Sequence, residues 1–254
     1  MVQSDNETGD RLPAAARISR KGRIHLMDEI RGLCVLLMIF YHAFYTMSML
    51  FHWELGTKLL VFFSPTEPFF AGLFILISGI SSQLSHSNLI RGLKLLGVAL
   101  ALTLVTYFII PSELIVFGMG QKLWDRIPLI LGLAVCAVLF LITMPVSDGY
   151  LGLPGTLAWK IPAGWYEFGW LFPLGIHRAD FFSADYFPLF PWIFLFFCGT
   201  YIGRWARNGK FPDFTYRLRF TSLSWMGRHA LILYLIHQPL IFGVCTLISW
   251  IISL

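Results

Sequence analysis

Charged residues are scarce in this sequence. Asp, Glu, Lys and Arg make up only 13% of the 254 residues, whereas 57% are hydrophobic. Soluble domains carry about 25% charged residues, so this chain supplies too little polar surface for a water-soluble fold of its length. A lipid bilayer is the alternative solvent. The long apolar runs fit it, because roughly 20 helical residues cross the hydrocarbon, and their lack of alternation argues against a β-barrel.

A cysteine framework is also missing. The four cysteines show no CxxC motif and no Cys/His spacing, and each lies inside an apolar run. This pattern indicates small buried side chains, and neither a disulfide-stabilised fold nor a zinc site. We therefore expect no metal. The first 30 residues are polar and lack the apolar core of a cleavable signal peptide, so none is expected.

The net charge of +5 could suggest a nucleic-acid partner. The basic residues cluster beside the apolar runs, however, where membrane topology explains them, so we expect no nucleic-acid binding. One cluster lies in the N-terminal arm, residues 1–27. The other lies near the C-terminus and comprises Arg204, Arg207, Lys210, Arg217, Arg219 and Arg228. Both clusters should face the cytoplasm.

Six apolar runs predict membrane-spanning helices, at about 31–51, 68–87, 91–111, 127–146, 187–206 and 228–253. The second basic cluster follows the fifth of these spans, and five crossings from a cytoplasmic N-terminus would deliver it to the wrong side, so an odd number of further crossings is expected between the third and fifth spans. We predict an all-α polytopic bundle of about six to seven spans, with residues 1–27 as a flexible cytoplasmic arm and 28–254 as one transmembrane domain.

The apolar stretches that could form a further crossing are shorter than a membrane-spanning helix. The apolar stretch 112–118 has only seven residues, and the 11 residues of 166–176 suit a re-entrant or interfacial piece. A helix that starts near Glu113 is therefore expected to be missing or shortened in the region 113–126.

Asp28, Arg31 and His42 are the first candidates for chemistry. Eleven residues separate Arg31 from His42, which places both within about 20° on one helix face and about 16 Å apart along the axis. Asp28 lies one turn before Arg31. Ionisable groups at membrane depth usually face the bundle interior or a wet cavity, although a topological anchor and a helix-packing hydrogen bond are the simpler interpretations of the ion pair and of His42. His52 follows near the end of the same span.

Polar residues in the later spans are further candidates. Ser78 and Gly79 belong to a small-residue stretch that favours close helix packing and could also admit a narrow cofactor arm. Asp185, Tyr186 and Trp192 surround the start of the fifth span, where aromatic residues also serve as interface anchors. The last span carries four candidates, of which the first two lie at its cytoplasmic start: Arg228, His229, His237 and Gln238.

These motifs together resemble the transmembrane acyltransferase superfamily, and more closely its heparan-α-glucosaminide N-acetyltransferase-like branch. The resemblance rests on DEIRGLCVLLMIFYH, FILISGISS, DYFPLFPW with GTYIG, and GRHALILYLIHQP, which in this order cover most of the chain. The chain departs from the family at 117–121, where FGMGQ stands in place of a helix that opens with FGILH.

The resemblance implies a membrane-embedded acyltransferase. It would move an acyl group, expected to be acetyl, from cytoplasmic acetyl-coenzyme A to a sugar amine or hydroxyl on the opposite face. The family's essential histidine lies just beyond its first helix in a His-x-x-Trp context, which His52 and Trp53 approximate, and His42 replaces an asparagine of the heparan enzyme. His42 and His52 are thus both candidate catalytic residues.

Roles for the remaining candidates follow from this resemblance. The donor would be bound by Asp28, Arg31, Ser78, Gly79, Arg228 and His229. The saccharide acceptor would be bound by Asp185, Tyr186, Trp192, His237 and Gln238.

Other classes of function stay open. Buried His and Asp residues also form proton relays, so a proton-coupled small-molecule transporter is the alternative, although no inverted repeat is present. A catalytically degenerate membrane protein is a third reading. The expected location is the plasma membrane of a prokaryote, and a homo-oligomer is left open.

Overall fold

The structure is a computed structural model. It describes residues 22–84, 128–153, 157–181 and 186–253. The chain forms two compact units, Met1–Ile77 with Trp205–Leu254, and Ser78–Arg204. Residues 1–21 of the predicted arm, the predicted span 91–111 and the region 113–126 lie outside the described residues.

Most of the described residues are helical, which confirms the predicted helical fold class. The α-helices are α1 (His25–Met49), α2 (Glu54–Phe63), α3 (Glu67–Leu84), α4 (Leu129–Thr143), α5 (Leu189–Arg207), α6 (Thr221–Arg228) and α7 (Ala230–Ile252). Short 3-10 helices cover Ser64–Thr66, Met144–Val146, Ala163–Glu167, Gly169–Leu174 and Asp213–Tyr216. The all-α prediction misses one feature, a two-stranded antiparallel hairpin of β1 (Tyr150–Leu153) and β2 (Leu157–Lys160).

Four helical stretches of the described residues are long and apolar enough to cross a membrane: His25–Met49, Glu54–Leu84, Leu129–Val146 and Ala230–Ile252. Their outward side chains are large and apolar, as shown by Ile130 on α4 and Ile252 on α7, which are 81% and 74% exposed. Such surfaces are costly in water and suit lipid contact. The chain is thus an integral membrane protein. Helix α5 matches the predicted span 187–206 but is not among these four stretches.

The first unit packs α1 against α2, α6 and α7. Its core consists of Cys34, Tyr41, Leu60 and Phe70, which α1, α2 and α3 contribute. The chain reverses sharply between α1 and α2, and His52 in this turn has a left-handed backbone with φ of 53°. The sequence prediction did not include α2, because it begins the second span only at residue 68.

The second unit contains the end of α3, α4, the hairpin and most of α5. A Cβ atom added to Gly79 on α3 would lie 2.1 Å from the backbone oxygen of Phe196 on α5. This close approach supports the packing interpretation of the small-residue stretch around Gly79. The residues after β2 form the two short 3-10 helices Ala163–Glu167 and Gly169–Leu174, which overlap the stretch 166–176 that the sequence assigns to a re-entrant or interfacial piece.

Candidate functional site

The first turn of α1 carries a buried carboxylate, that of Asp28, which lies between two arginine side chains. Asp28 is 4% exposed. Its Oδ2 accepts a hydrogen bond from Nε of Arg23 at 2.5 Å, and its Oδ1 accepts one from Nη1 of Arg31 at 3.2 Å. The bond to Asp28 raises the pKa of the Arg23 guanidinium. Two guanidinium groups against one carboxylate leave the trio with a net charge of +1, which favours an anionic ligand.

The next residue, Glu29, forms a long-range contact that was not predicted from the sequence. It is 3% exposed, and its Oε1 accepts hydrogen bonds from the backbone nitrogens of Arg219 at 2.6 Å and Phe220 at 3.0 Å. Phe220 is the residue that precedes α6. Because a carboxylate already accepts from these two amides, they are not available to bind an anionic group of a ligand. No local sequence signal identifies a partner 191 residues away.

Helices α1 and α6 cross in backbone contact. A Cβ on Gly32 would lie 1.9 Å from the Leu223 oxygen, and a Cβ on Gly227 would lie 1.9 Å from the Asp28 oxygen. Both positions therefore require glycine. The crossing fixes Asp28 and Glu29 relative to the segment that precedes the last helix.

A second polar cluster lies deeper in the same unit, where α1 meets α7. His42 and His237 are 2% and 4% exposed, and their ring centroids are 4.9 Å apart. Nε2 of Gln238 lies 3.5 Å from Nδ1 of His42. Nδ1 of His237 lies 2.7 Å from the carbonyl oxygen of Tyr234, whose ring is 5.6 Å from the His237 ring. The structure thus brings together His42, His237 and Gln238, which the sequence assigned to different roles.

The other candidates of the first unit lie apart from this cluster. His52 is exposed and lies beyond the end of α1, whereas His42 lies seven residues before that end, or about 10 Å along the axis. Arg228 donates from Nε to the Ser224 oxygen at 3.2 Å, and the His229 ring lies 4.6 Å from the Trp225 ring. Both belong to the junction between α6 and α7.

The candidates of the second unit have different surroundings. Tyr186 donates a hydrogen bond to the Phe172 oxygen and packs against His177 and Phe181. Trp192 packs edge-to-face against Phe140 and Phe187. Ser78 and Gly79 lie within α3 at the start of this unit. Asp185 lies outside the described residues.

Within the described part of the chain, no group of three His, Cys, Asp or Glu side chains could hold a metal ion. The polar groups of the first unit instead form a boundary cluster of Arg23, Asp28 and Arg31 around the start of α1, and a buried histidine cluster where α1 meets α7, which comprises His42, His237 and Gln238. This arrangement suits recognition of an anion at one level and proton transfer at another.

A comparison with family models matches residues 23–239 to heparan-α-glucosaminide N-acetyltransferase, catalytic. The chain belongs to this family. The matched region begins at Arg23 and ends at Pro239, so it includes both clusters. No curated protein and no solved structure matches the chain. As a member of this N-acetyltransferase family with helices that can cross a membrane, the chain is a transferase-type membrane protein, in agreement with the resemblance read from its motifs.

Proposed function

We propose that this protein transfers an acetyl group from cytoplasmic acetyl-coenzyme A to an amine or hydroxyl of a saccharide on the other side of the membrane. The observation that carries this proposal is the placement of the Asp28–Arg31 pair and of His42 on one helix, α1. The Asp28–Arg31 ion pair lies at the start of α1, and the buried His42 follows on the same face about 16 Å further along the axis.

The boundary cluster is the proposed donor site. Arg23 and Arg31 together outweigh the charge of Asp28, and the Arg31 side chain keeps 19% of its surface exposed. A guanidinium held in place by a carboxylate can bind a phosphate group with two parallel hydrogen bonds. Arg228 and His229, at the start of the last helix, are proposed to contribute to the same donor site, whereas Ser78 and Gly79 stay predictions from the sequence.

The deeper cluster is the proposed site of chemistry. The acceptor nitrogen or oxygen attacks the thioester carbonyl carbon, the C–S bond breaks, and a C–N or C–O bond forms. A base must take the acceptor proton, which then passes to the coenzyme A thiolate. A neutral histidine suits this role because its ordinary pKa is near neutrality.

His42 is the base that the geometry favours, because it is buried on the Arg31 face. His52 is the base that the family motif favours, because it stands just beyond the first helix. His237 and Gln238, which lie beside His42, are the proposed acceptor contacts, whereas Asp185, Tyr186 and Trp192 stay predictions from the sequence. The saccharide class itself comes from the family description.

The test is acetyl transfer from labelled acetyl-coenzyme A to glucosamine by purified protein in lipid vesicles. His42→Ala, His52→Ala and the double variant are compared with Lys58→Ala, a change of an exposed residue on α2. The double variant should lose transfer, and the more damaging single change identifies the base. Turnover near that of the unaltered protein in the double variant would overturn the mechanism.

A further inference from the structure

We propose that residues 214–228, named here the juxtamembrane segment, bind the headgroups of anionic phospholipids at the edge of the bilayer. The segment begins in the 3-10 helix Asp213–Tyr216, includes α6 and ends just before the last membrane-crossing helix. It contains three arginines and neither Asp nor Glu, and no acidic residue follows it up to residue 254. Two of these arginines, Arg217 and Arg219, have no role in the proposed function.

The juxtamembrane segment lies at the level where two membrane-crossing helices begin. A Cβ on Gly227 would lie 1.9 Å from the Asp28 oxygen, so α6 crosses α1 at the first turn of α1. His229 alone separates α6 from α7. The first turn of α7 exposes Leu231 and Ile232, which suit contact with lipid. The residues just before that turn therefore adjoin the headgroup layer.

Large apolar side chains accompany the arginines of the segment. Those that are exposed are Phe214, Leu218, Phe220 and Trp225. A small soluble anion would leave these side chains in water, whereas the boundary between headgroups and hydrocarbon accommodates an aromatic ring beside a charge. Arginine also suits this boundary, because its apolar stem can lie against acyl chains while its guanidinium reaches a phosphate. The composition therefore favours a phospholipid over inorganic phosphate.

Arg217 and Arg219 keep their positive charge available to a ligand. Both are exposed, and among the residues that the structure describes neither forms an ion pair with a carboxylate. The Cζ atom of Arg219 lies 5.7 Å from the centre of the Phe214 ring. This contact orients the guanidinium without neutralising it. An anionic membrane surface attracts basic groups of this kind.

The Glu29 carboxylate holds the backbone of the segment and leaves its side chains exposed. Oε1 of Glu29 accepts hydrogen bonds from the backbone nitrogens of Arg219 at 2.6 Å and Phe220 at 3.0 Å. Glu29 is buried, whereas the side chains of Arg219 and Phe220 are exposed. The backbone is thus fixed against α1 before any lipid binds, which lowers the entropy lost on binding.

Membrane topology is the competing explanation for these arginines, because basic residues beside a span also set its orientation. The two explanations differ for the folded protein. Topology alone requires no preference among lipids once the chain is inserted. A binding segment, in contrast, selects anionic over zwitterionic headgroups.

Native mass spectrometry of the whole chain in detergent measures apparent dissociation constants for phosphatidylglycerol and phosphatidylcholine. The test variant combines Arg217→Gln with Arg219→Gln. The matched control combines Lys58→Gln with Arg178→Gln, which removes two exposed positive charges that already pair with carboxylates. Each arginine near an anionic surface strengthens binding roughly fivefold, so we expect the test variant to lose phosphatidylglycerol affinity about 20- to 30-fold and the control less than about twofold.

Two further measurements define what is bound. Arg217→Lys combined with Arg219→Lys keeps both charges and should retain most of the affinity. Inorganic phosphate in excess should not displace the lipid, because it lacks acyl chains. Four results would each overturn the inference: equal affinity of the unaltered protein for both lipids, full affinity in the glutamine variant, an equal loss in the control, or displacement of the lipid by phosphate.

Discussion

Oε1 of Glu29 lies 3.0 Å from the backbone nitrogen of Phe220, although 191 residues separate the two in the chain. The contact joins the first helix to the segment that leads into the last one. With the Gly32–Gly227 crossing, it sets how α1 meets α6, and α6 is followed directly by the helix that carries His237. The boundary cluster and the histidine cluster thus depend on the same long-range contacts.

Removal of the Glu29 carboxylate should destabilise the protein. Glu29→Ala leaves two buried amides without their acceptor, at a cost of about 1–3 kcal/mol. Glu29→Gln keeps an oxygen in place and should cost less. The measurement is the midpoint of thermal unfolding in detergent, with Glu54→Ala as the control, since Glu54 forms only an exposed ion pair with Lys58. Equal midpoints for Glu29→Ala and Glu54→Ala would show that the hydrogen bonds of Glu29 do not stabilise the protein.

Alanine at the helix crossing should also destabilise. In Gly32→Ala or Gly227→Ala the new methyl group would overlap a backbone oxygen, and only movement of a whole helix relieves that overlap. Overpacking of this kind costs about 1–3 kcal/mol or more. Gly243→Ala on α7 is the matched control, because nothing lies within 4 Å of its added Cβ. That change should stabilise the helix by about 0.5–1 kcal/mol. If the thermal midpoint of Gly32→Ala equals or exceeds that of Gly243→Ala, the close backbone contact between α1 and α6 is contradicted.

The second unit should lose stability at alkaline pH through Tyr166. Burial raises the pKa of this tyrosine, whose hydroxyl donates to the Val146 oxygen after α4. A raised pKa means that folding favours the neutral phenol, so its contribution is complete below the ordinary value of about 10 and is lost as pH rises through the folded value. Thermal midpoints between pH 8 and 11 should fall more steeply for the unaltered protein than for Tyr166→Phe. Parallel curves for the two proteins would refute this assignment.

The sequence predicts the helical elements well, because continuous apolar runs are a local signal. The run 31–51 appears within α1, and the run 187–206 appears as α5. The start of α1 is further back, at His25, and this added turn carries Glu29, whose contacts with the backbone of Arg219 and Phe220 no local pattern shows. The hairpin is missed for a related reason, since strands of four residues offer too little alternation to identify.

For the site, the sequence predicts what a single helix determines. The Asp28–Arg31 pair at i,i+3 and the shared face of Arg31 and His42 follow from helical periodicity, and the structure contains that pair. The meeting of His42 with His237 depends on how α1 and α7 pack, and periodicity within either helix does not specify it. The roles of these residues in catalysis and binding remain predictions.

The central claim is that the boundary cluster, which includes Arg31, binds acetyl-coenzyme A. Stabilisation of the protein by this ligand tests the claim most directly. The thermal midpoint of purified protein is measured with and without acetyl-coenzyme A for the unaltered chain, Arg31→Ala and Lys58→Ala. A ligand at 100 times its dissociation constant stabilises by about 2.7 kcal/mol. We expect an upward shift in the unaltered protein and in Lys58→Ala, and none in Arg31→Ala. No shift in the unaltered protein at millimolar acetyl-coenzyme A, or an equal shift in Arg31→Ala, would contradict the claim.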